Sequence, residues 1–153
     1  MAHDGAQGRV AAAKELPEVY AGIIAARDPL KEVLGATLFT LVELRASYVN
    51  GCAFCVDLHS RDALGRGEDA RRLFALAAWR EAPTLFTEAE RAALALVDEV
   101  TRIGEHGVSD AVYAAVTAHY TDRETAALIV ATGWINLLNR IGVATRMHPP
   151  ARV

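Results

Sequence analysis

The chain has 153 residues, 52% of them hydrophobic, and a formal net charge of −3. That length suits one domain over residues 1–153, and no segment is basic enough to favour nucleic acid or an anionic membrane as a partner. Two cysteines are too few to cross-link a secreted fold of this size.

The N-terminal twenty residues have no long apolar stretch behind a positive region, so they do not resemble a signal peptide. The longest uncharged apolar stretch lies within residues 125–139, short of the ~18 residues that indicate a membrane span. We therefore expect a soluble, cytoplasmic protein. In a reducing compartment a Cys-x-x-Cys pair is more typical of catalysis or metal binding than of a permanent cross-link.

Every predicted element is a helix, because apolar residues recur at three and four positions and sustained alternation is absent. Residues 16–28 predict a short helix with Pro17 in its first turn. Residues 29–49 predict a longer helix that ends before Asn50-Gly51, a pair suited to a helix C-terminus and a tight connection.

The next predicted helix starts near Cys52 and ends at about Gly65 or Gly67. Residues 68–81 predict another, which stops before Pro83 because proline cannot continue a helix.

The C-terminal half carries three helix-start patterns. Thr87 with Glu90 and Thr121 with Glu124 are spaced as capping boxes, and Ser109 is a candidate N-cap between them. The chain as a whole predicts an all-α bundle of six or seven helices.

The last predicted helix is apolar almost all round between Ala126 and Leu138. Such a helix is buried on every side, either at the centre of a bundle or against another subunit. We therefore expect a homo-oligomer. Asn136, Asn139 and Arg140 share one side of this helix, where they satisfy helix ends, bridge subunits or face an active site.

The two cysteines and one histidine form the strongest functional pattern. At ~100° per residue, Cys52, Cys55 and His59 fall within an arc of ~60° on one helix face. Both cysteines belong to the first turn, where unpaired backbone N–H groups favour a thiolate. Because His59 lies one turn beyond Cys55 and can accept its proton, the pattern predicts a dithiol redox centre.

Two other interpretations of this pattern remain open. The cysteines are also compatible with two buried small hydrophobic residues. A zinc site would use Cys52, Cys55 and His59, although no fourth ligand is apparent. Arg45 and Ser47, just before the motif, either help to orient it or are ordinary surface or capping residues.

The segment LRASYVNGCAFCVDLHSRDALGRGED closely resembles the core motif of the carboxymuconolactone decarboxylase superfamily, in its AhpD-like alkylhydroperoxidase branch. The resemblance extends over about residues 30–146. The motif pairs Cys-x-x-Cys with a histidine four residues later, usually after Asn-Gly; the matching residues are Asn50, Gly51, Cys52, Cys55 and His59.

This resemblance implies an AhpD-like all-α fold that assembles as a homo-oligomer, often a trimer or hexamer, without metal or bound organic cofactor. It implies reduction of alkyl hydroperoxides or disulfides in antioxidant defence. Cys55 would attack the peroxide, Cys52 would resolve the sulfenic acid, and a dihydrolipoyl- or thioredoxin-like protein would re-reduce the pair. The decarboxylases of the superfamily generally lack the cysteine pair, which argues against that lyase reaction.

The sequence departs from the family pattern at one position. Members usually carry a glutamate twelve residues before the first cysteine, and Thr40 stands there. Glu43 is the nearest acid, ~60° around and ~4.5 Å along the same predicted helix. Either Glu43 completes a proton relay with His59, or it is an ordinary solvated or salt-bridged residue.

Three functional hypotheses follow. The first is a peroxide-reducing or disulfide-exchanging enzyme that uses Cys52, Cys55 and His59. The second is a redox-responsive binding protein with little turnover, and the third is a structural oligomer.

Overall fold

The computed structural model describes residues 9–151, and within that range the chain forms α-helices, one 3₁₀ helix and no strand. The all-α expectation is therefore confirmed. The first eight residues, part of the segment without a signal-peptide pattern, lie outside the described residues. The elements are α1 (Ala12–Glu15), α2 (Pro17–Ala25), α3 (Arg27–Leu34), α4 (Ala36–Asn50), α5 (Ala53–Gly65), α6 (Ala70–Ala75), the 3₁₀ helix (Leu76–Glu81), α7 (Glu88–Thr101), α8 (Asp110–Thr117) and α9 (Asp122–Ala144).

Helix α4 is the centre of the bundle. It packs against α3, α5, α7, α9 and the 3₁₀ helix. Phe39, Val42 and Ala46 join a core formed with α3, α7 and α9, whereas Leu41 and Leu44 join a second core towards α5 and the 3₁₀ helix. All nine residues from 39 to 47 are buried as a result.

The predicted helix starts in the C-terminal half are confirmed. Thr87 with Glu90 and Thr121 with Glu124 form reciprocal capping boxes at the starts of α7 and α9. The Ser109 hydroxyl accepts a hydrogen bond from the backbone N–H of Val112 at the start of α8. The sequence predicts these helix starts because a cap depends on residues only three positions apart.

Two predicted helices are each divided in the structure. Gly35 adopts φ +76° and ends α3, so residues 29–49 do not form one continuous helix. That backbone region is open to glycine but strained for other residues. Residues 68–81 form α6 followed by the 3₁₀ helix, with a kink at Ala78.

Within one chain, helix α9 is enclosed on one side only, so its central burial in the bundle is not observed. One face packs against α3, α4 and α7, but Ile129, Val130, Leu137 and Val143 are 38–55% exposed. By length and composition alone, α9 could cross a membrane, yet half of its most apolar window is buried inside the bundle. Core helices of soluble proteins have the same character, so this is weak evidence for a membrane span.

A buried ion pair joins α4 to α7. The Arg45 Nε donates to Asp98 Oδ1 at 2.5 Å, and its Nη1 donates to the carbonyl of Ala77 at 2.7 Å. Asp98 also accepts from Trp79 Nε1 and from Arg80. Arg45 therefore fixes the 3₁₀ helix to the core, and its hydrogen bonds go to α7 and the 3₁₀ helix rather than to the cysteine motif.

We expect Asp98→Asn to lower the free energy of unfolding by about 3–5 kcal/mol, because it leaves the buried Arg45 guanidinium without its charge partner. Urea unfolding at one protein concentration measures the change. The matched control is Arg61→Met, which breaks the exposed pair with Asp57 on α5 and should cost under about 1 kcal/mol. Equal losses in the two variants would contradict the structural role of Arg45.

Candidate active site

The connection between α4 and α5 places the first cysteine at a helix start. Gly51 adopts the left-handed conformation at φ +66°, and the Cys52 N–H donates to the carbonyl of Ser47 at 3.0 Å. This is the hydrogen bond of a glycine-terminated helix end. Gly51 is the only residue between the end of α4 at Asn50 and Cys52, and Cys52 is the N-cap of α5.

A polar cluster from α9 holds this turn. The Asn50 Nδ2 donates to the Oδ1 atoms of both Asn136 and Asn139 at 2.9 Å. Asn139 in turn donates from Nδ2 to the Ser47 hydroxyl at 3.0 Å. Asn136 and Asn139 of α9 therefore hold the Asn-Gly turn in place by hydrogen bonds. The Arg140 Nη1 donates a further hydrogen bond to the Asn136 Oδ1.

Cys52 and Cys55 are joined by a disulfide, with their Cα atoms 5.4 Å apart. Both are at most 5% exposed. Cys55 lies in the first turn of α5, where the backbone N–H groups have no partner within the helix and favour an anionic sulfur. The predicted pairing of these two residues is therefore present in the structure.

Gly142 on α9 makes room for the disulfide. A Cβ atom added at Gly142 would lie 3.1 Å from the Cys52 Sγ and 3.9 Å from the Cys55 Sγ. Any larger residue would push the sulfurs or the helix apart. Sequence reasoning missed this residue, although an isolated glycine inside a helical pattern is a signal of close approach.

The side chains of Glu43 on α4 and His59 on α5 face each other. The Glu43 Oε2 lies 3.4 Å from the His59 Nδ1, and both side chains are buried. Glu43 is therefore not the solvated residue of the alternative interpretation. Thr40, at the position where the family usually has an acid, is buried and accepts a hydrogen bond from Arg66.

Burial controls the protonation of this pair. It raises the pKa of the Glu43 carboxyl from 4.5 to about 7 and lowers the pKa of the His59 imidazole from 6.5 to about 4. If both groups were ionised they would attract each other, but the free-energy cost of removing two charges from water exceeds this attraction. Near neutral pH His59 is thus uncharged.

A cavity of about 320 Å³ opens beside these residues. Cys55 and His59 belong to its wall, together with Arg27 and Asp62, whereas Cys52 does not line it. The size suits a small organic ligand. The rest of the lining is mainly apolar and includes Ile24, Phe54, Leu58, Trp134, Leu138 and Met147.

The zinc interpretation finds no support in this geometry. Within residues 9–151, no group of three or more His, Cys, Asp and Glu side chains is placed to hold a metal ion. With Cys52 and Cys55 bonded to each other, neither sulfur is available as a thiolate ligand in this state.

Comparison with known proteins identifies the class of protein. A protein from Agrobacterium tumefaciens, of unknown function but described as an AhpD candidate for antioxidant defence, superposes with a TM-score of 0.89. It is 37% identical, and the match covers 95% of this chain and all of that one. The fold is therefore AhpD-like.

Residues 14–99 match the model of the carboxymuconolactone decarboxylase family, and the chain belongs to that family. The uncharacterized protein YdfG of Bacillus subtilis is 37% identical over 111 residues, which is 72% of this chain and 75% of YdfG. An uncharacterized peroxidase-related protein from Ralstonia eutropha shares the fold with a TM-score of 0.72 at 20% identity, covering 90% of this chain and 74% of that one. The resemblance predicted from the motif is confirmed.

The pKa shifts predict opposite effects of pH on two variants. Glu43 has a raised pKa, so its contribution to stability is complete below pH 4.5 and is lost as pH rises to about 7. Glu43→Gln removes this loss. The free energy of unfolding of the variant, relative to that of wild type, should therefore rise by on the order of 3 kcal/mol between pH 4.5 and 8.

His59 has a lowered pKa, so its contribution is complete above pH 6.5 and is lost as pH falls to about 4. Relative to wild type, His59→Asn should therefore gain stability towards acid. Urea unfolding of the oxidised proteins from pH 4 to 8 measures both trends. Glu81→Gln, at an exposed position, controls for the loss of one carboxylate, and parallel curves for all variants would contradict the burial effect.

Proposed function

We propose that this chain is a thiol-dependent peroxidase of the cytoplasm that reduces organic hydroperoxides through Cys52 and Cys55. The observation that carries the proposal is the position of Cys55. Its sulfur lies at a helix start, in the wall of a largely apolar cavity, on the same wall as His59 and next to Cys52. A peroxide in that cavity would meet a nucleophile, a base and a resolving thiol together.

In the proposed reaction His59 accepts the proton of the Cys55 thiol, and the thiolate attacks one oxygen of the hydroperoxide. The O–O bond breaks, Cys55 becomes a sulfenic acid, and the other oxygen leaves as the alcohol with a proton. The Cys52 thiol then attacks the Cys55 sulfur, which forms the disulfide and releases water. Two thiols and one hydroperoxide thus give one disulfide, one alcohol and one water.

The burial of Cys52 supports this assignment of roles. Cys52 is 2% exposed and packs at Gly142, away from the cavity wall. A residue in that position is reached by the neighbouring Cys55 sulfur more readily than by a substrate. Glu43, behind His59, would hold the imidazole in the tautomer that accepts the proton.

Turnover requires a reductant for the disulfide. A dithiol protein of the dihydrolipoyl or thioredoxin type supplies the two electrons and two protons that regenerate both thiols. An assay with this reductant distinguishes the two redox hypotheses. An enzyme would consume peroxide in steady state, whereas a redox-responsive binding protein would form the same disulfide without turnover.

We expect the reduced protein to lose both thiols within minutes of adding one equivalent of cumene hydroperoxide, with a Cys52–Cys55 linked peptide in the mass spectrum. The matched variants assign the roles. Cys52→Ser should still react and give a sulfenic acid that dimedone traps, whereas Cys55→Ser should not react faster than free cysteine. Two persistent thiols in the wild type would sink the proposal, and reversed behaviour of the variants would exchange the two roles.

We also propose that the protein is a homo-oligomer that uses the outer face of α9. Ile129, Val130, Leu137 and Val143 are exposed and lie within an arc of about 140° of this helix, which also includes the exposed Arg140. Exposed apolar side chains grouped on one side of a helix are typical of contacts between subunits.

Light scattering at micromolar concentration should give a mass that is a multiple of the 16.4 kDa chain. Val130→Glu with Leu137→Glu should shift the mass towards the monomer, because two charges would have to be buried in the contact. Tyr113→Glu, an equally exposed site on α8, serves as the control. A wild-type mass of one chain would count against the oligomer.

A further inference from the structure

The carboxyl group of Glu43 lies between an imidazole and a guanidinium. Its Oε2 faces the His59 Nδ1 at 3.4 Å, and its Oε1 faces the Arg27 Nε at 3.9 Å. The buried Oε1 and Nδ1 atoms have no hydrogen-bond partner among the described residues. Arg27 is the only cation within ion-pair distance of this carboxyl among the described residues, while Arg66 and Lys31 favour its ionised form from further away.

The protonation of Glu43 decides which nitrogen of His59 carries the proton. An ionised carboxylate 3.4 Å from Nδ1 favours the tautomer with the proton on Nδ1 by charge attraction, which leaves the Nε2 lone pair free to take a proton. A neutral carboxylic acid donates to Nδ1 instead and places the imidazole proton on Nε2. Only the first arrangement gives a base, although His59 is uncharged in both.

Five charged or titratable groups act on Glu43: Arg27 and Lys31 of α3, His59 and Asp62 of α5, and Arg66 just after α5. Asp62 disfavours the carboxylate, and the Arg66 guanidinium donates to the Thr40 hydroxyl. Arg27 makes the closest approach of a cation, and its side chain is 33% exposed in the cavity wall. It therefore reaches from the substrate cavity to the buried acid.

We propose that Arg27 is a positioning residue of the peroxidase site, which acts by holding Glu43 as the carboxylate and thereby His59 in its proton-accepting tautomer. This inference rests on the proposed function for its kinetic consequence, but not for its effect on His59. Arg27 does not touch the sulfur that reacts. It acts through two other side chains, and any lysine able to reach Glu43 would do the same.

The test follows Arg27→Gln, Arg27→Lys and wild type in the reduced state from pH 5.5 to 9. One arm measures the rate of thiol loss with cumene hydroperoxide, which carries no charge, so that a lost contact to an anionic substrate cannot lower the rate. The other arm reads the His59 tautomer from ¹⁵N NMR of histidine-labelled protein, with signals assigned from His59→Asn. Arg61→Gln, an exposed arginine of α5, is the matched control.

In wild type the tautomer should change near pH 7, where Glu43 titrates. Arg27→Gln should move this midpoint and the acidic limb of the rate profile upward by about one pH unit, the lower end for losing an adjacent opposite charge. Thiol loss at pH 6 to 7 should then be about tenfold slower. Arg27→Lys should stay within a few tenths of a unit of wild type, and Arg61→Gln should superpose on it.

An unmoved tautomer midpoint in Arg27→Gln overturns the inference, including the case in which the rate falls equally at every pH because the cavity is damaged. A wild-type protein that keeps its thiols with peroxide overturns the proposed function instead. In that case the NMR arm still decides the role of Arg27.

Discussion

The enclosure of α4 is the constraint on which the rest of the structure depends. Every residue from 39 to 47 is buried, yet four of them are polar or charged. A buried polar group must find a partner inside the protein or destabilise it. Thr40 pairs with Arg66, Arg45 with Asp98 and Ser47 with Asn139, whereas Glu43 faces His59 and Arg27 and its Oε1 has no hydrogen-bond partner among the described residues.

These four buried groups differ in how many hydrogen bonds they make. This difference distinguishes the Arg45–Asp98 pair, which holds helices together, from Glu43, whose protonation can change. Arg45 and Asp98 form a close ion pair with additional hydrogen bonds that hold helices together. Glu43 has no such set of donors, and burial raises its pKa to about 7. A buried acid whose pKa is raised in this way changes protonation near neutral pH.

The cysteine pair depends on the same helix at its other end. The carbonyl of Ser47 receives the Cys52 N–H, and the Ser47 hydroxyl receives Asn139 of α9. Helix α9 comes so close there that a Cβ atom at position 142 would lie only 3.1 Å from the Cys52 Sγ. One short segment of α4 thus contacts His59 through Glu43 and Cys52 through Ser47.

The sequence by itself determined the local features of this protein. The helix caps, the Asn-Gly turn, the placement of Cys52, Cys55 and His59 on one helix face, and the family all followed from residues a few positions apart. Tertiary structure decided the rest. Thr40 and Glu43 differ by less than one helical turn, so only the packing of α3 and α5 selects which of them meets His59. The composition of α9 indicated a helix buried on every side, but burial depends on which neighbours surround a helix: within one chain the surrounded helix is α4, and one side of α9 stays exposed. Gly142 lies 83 residues after His59 and Arg27 lies 32 residues before it, separations over which a sequence pattern carries no geometric information.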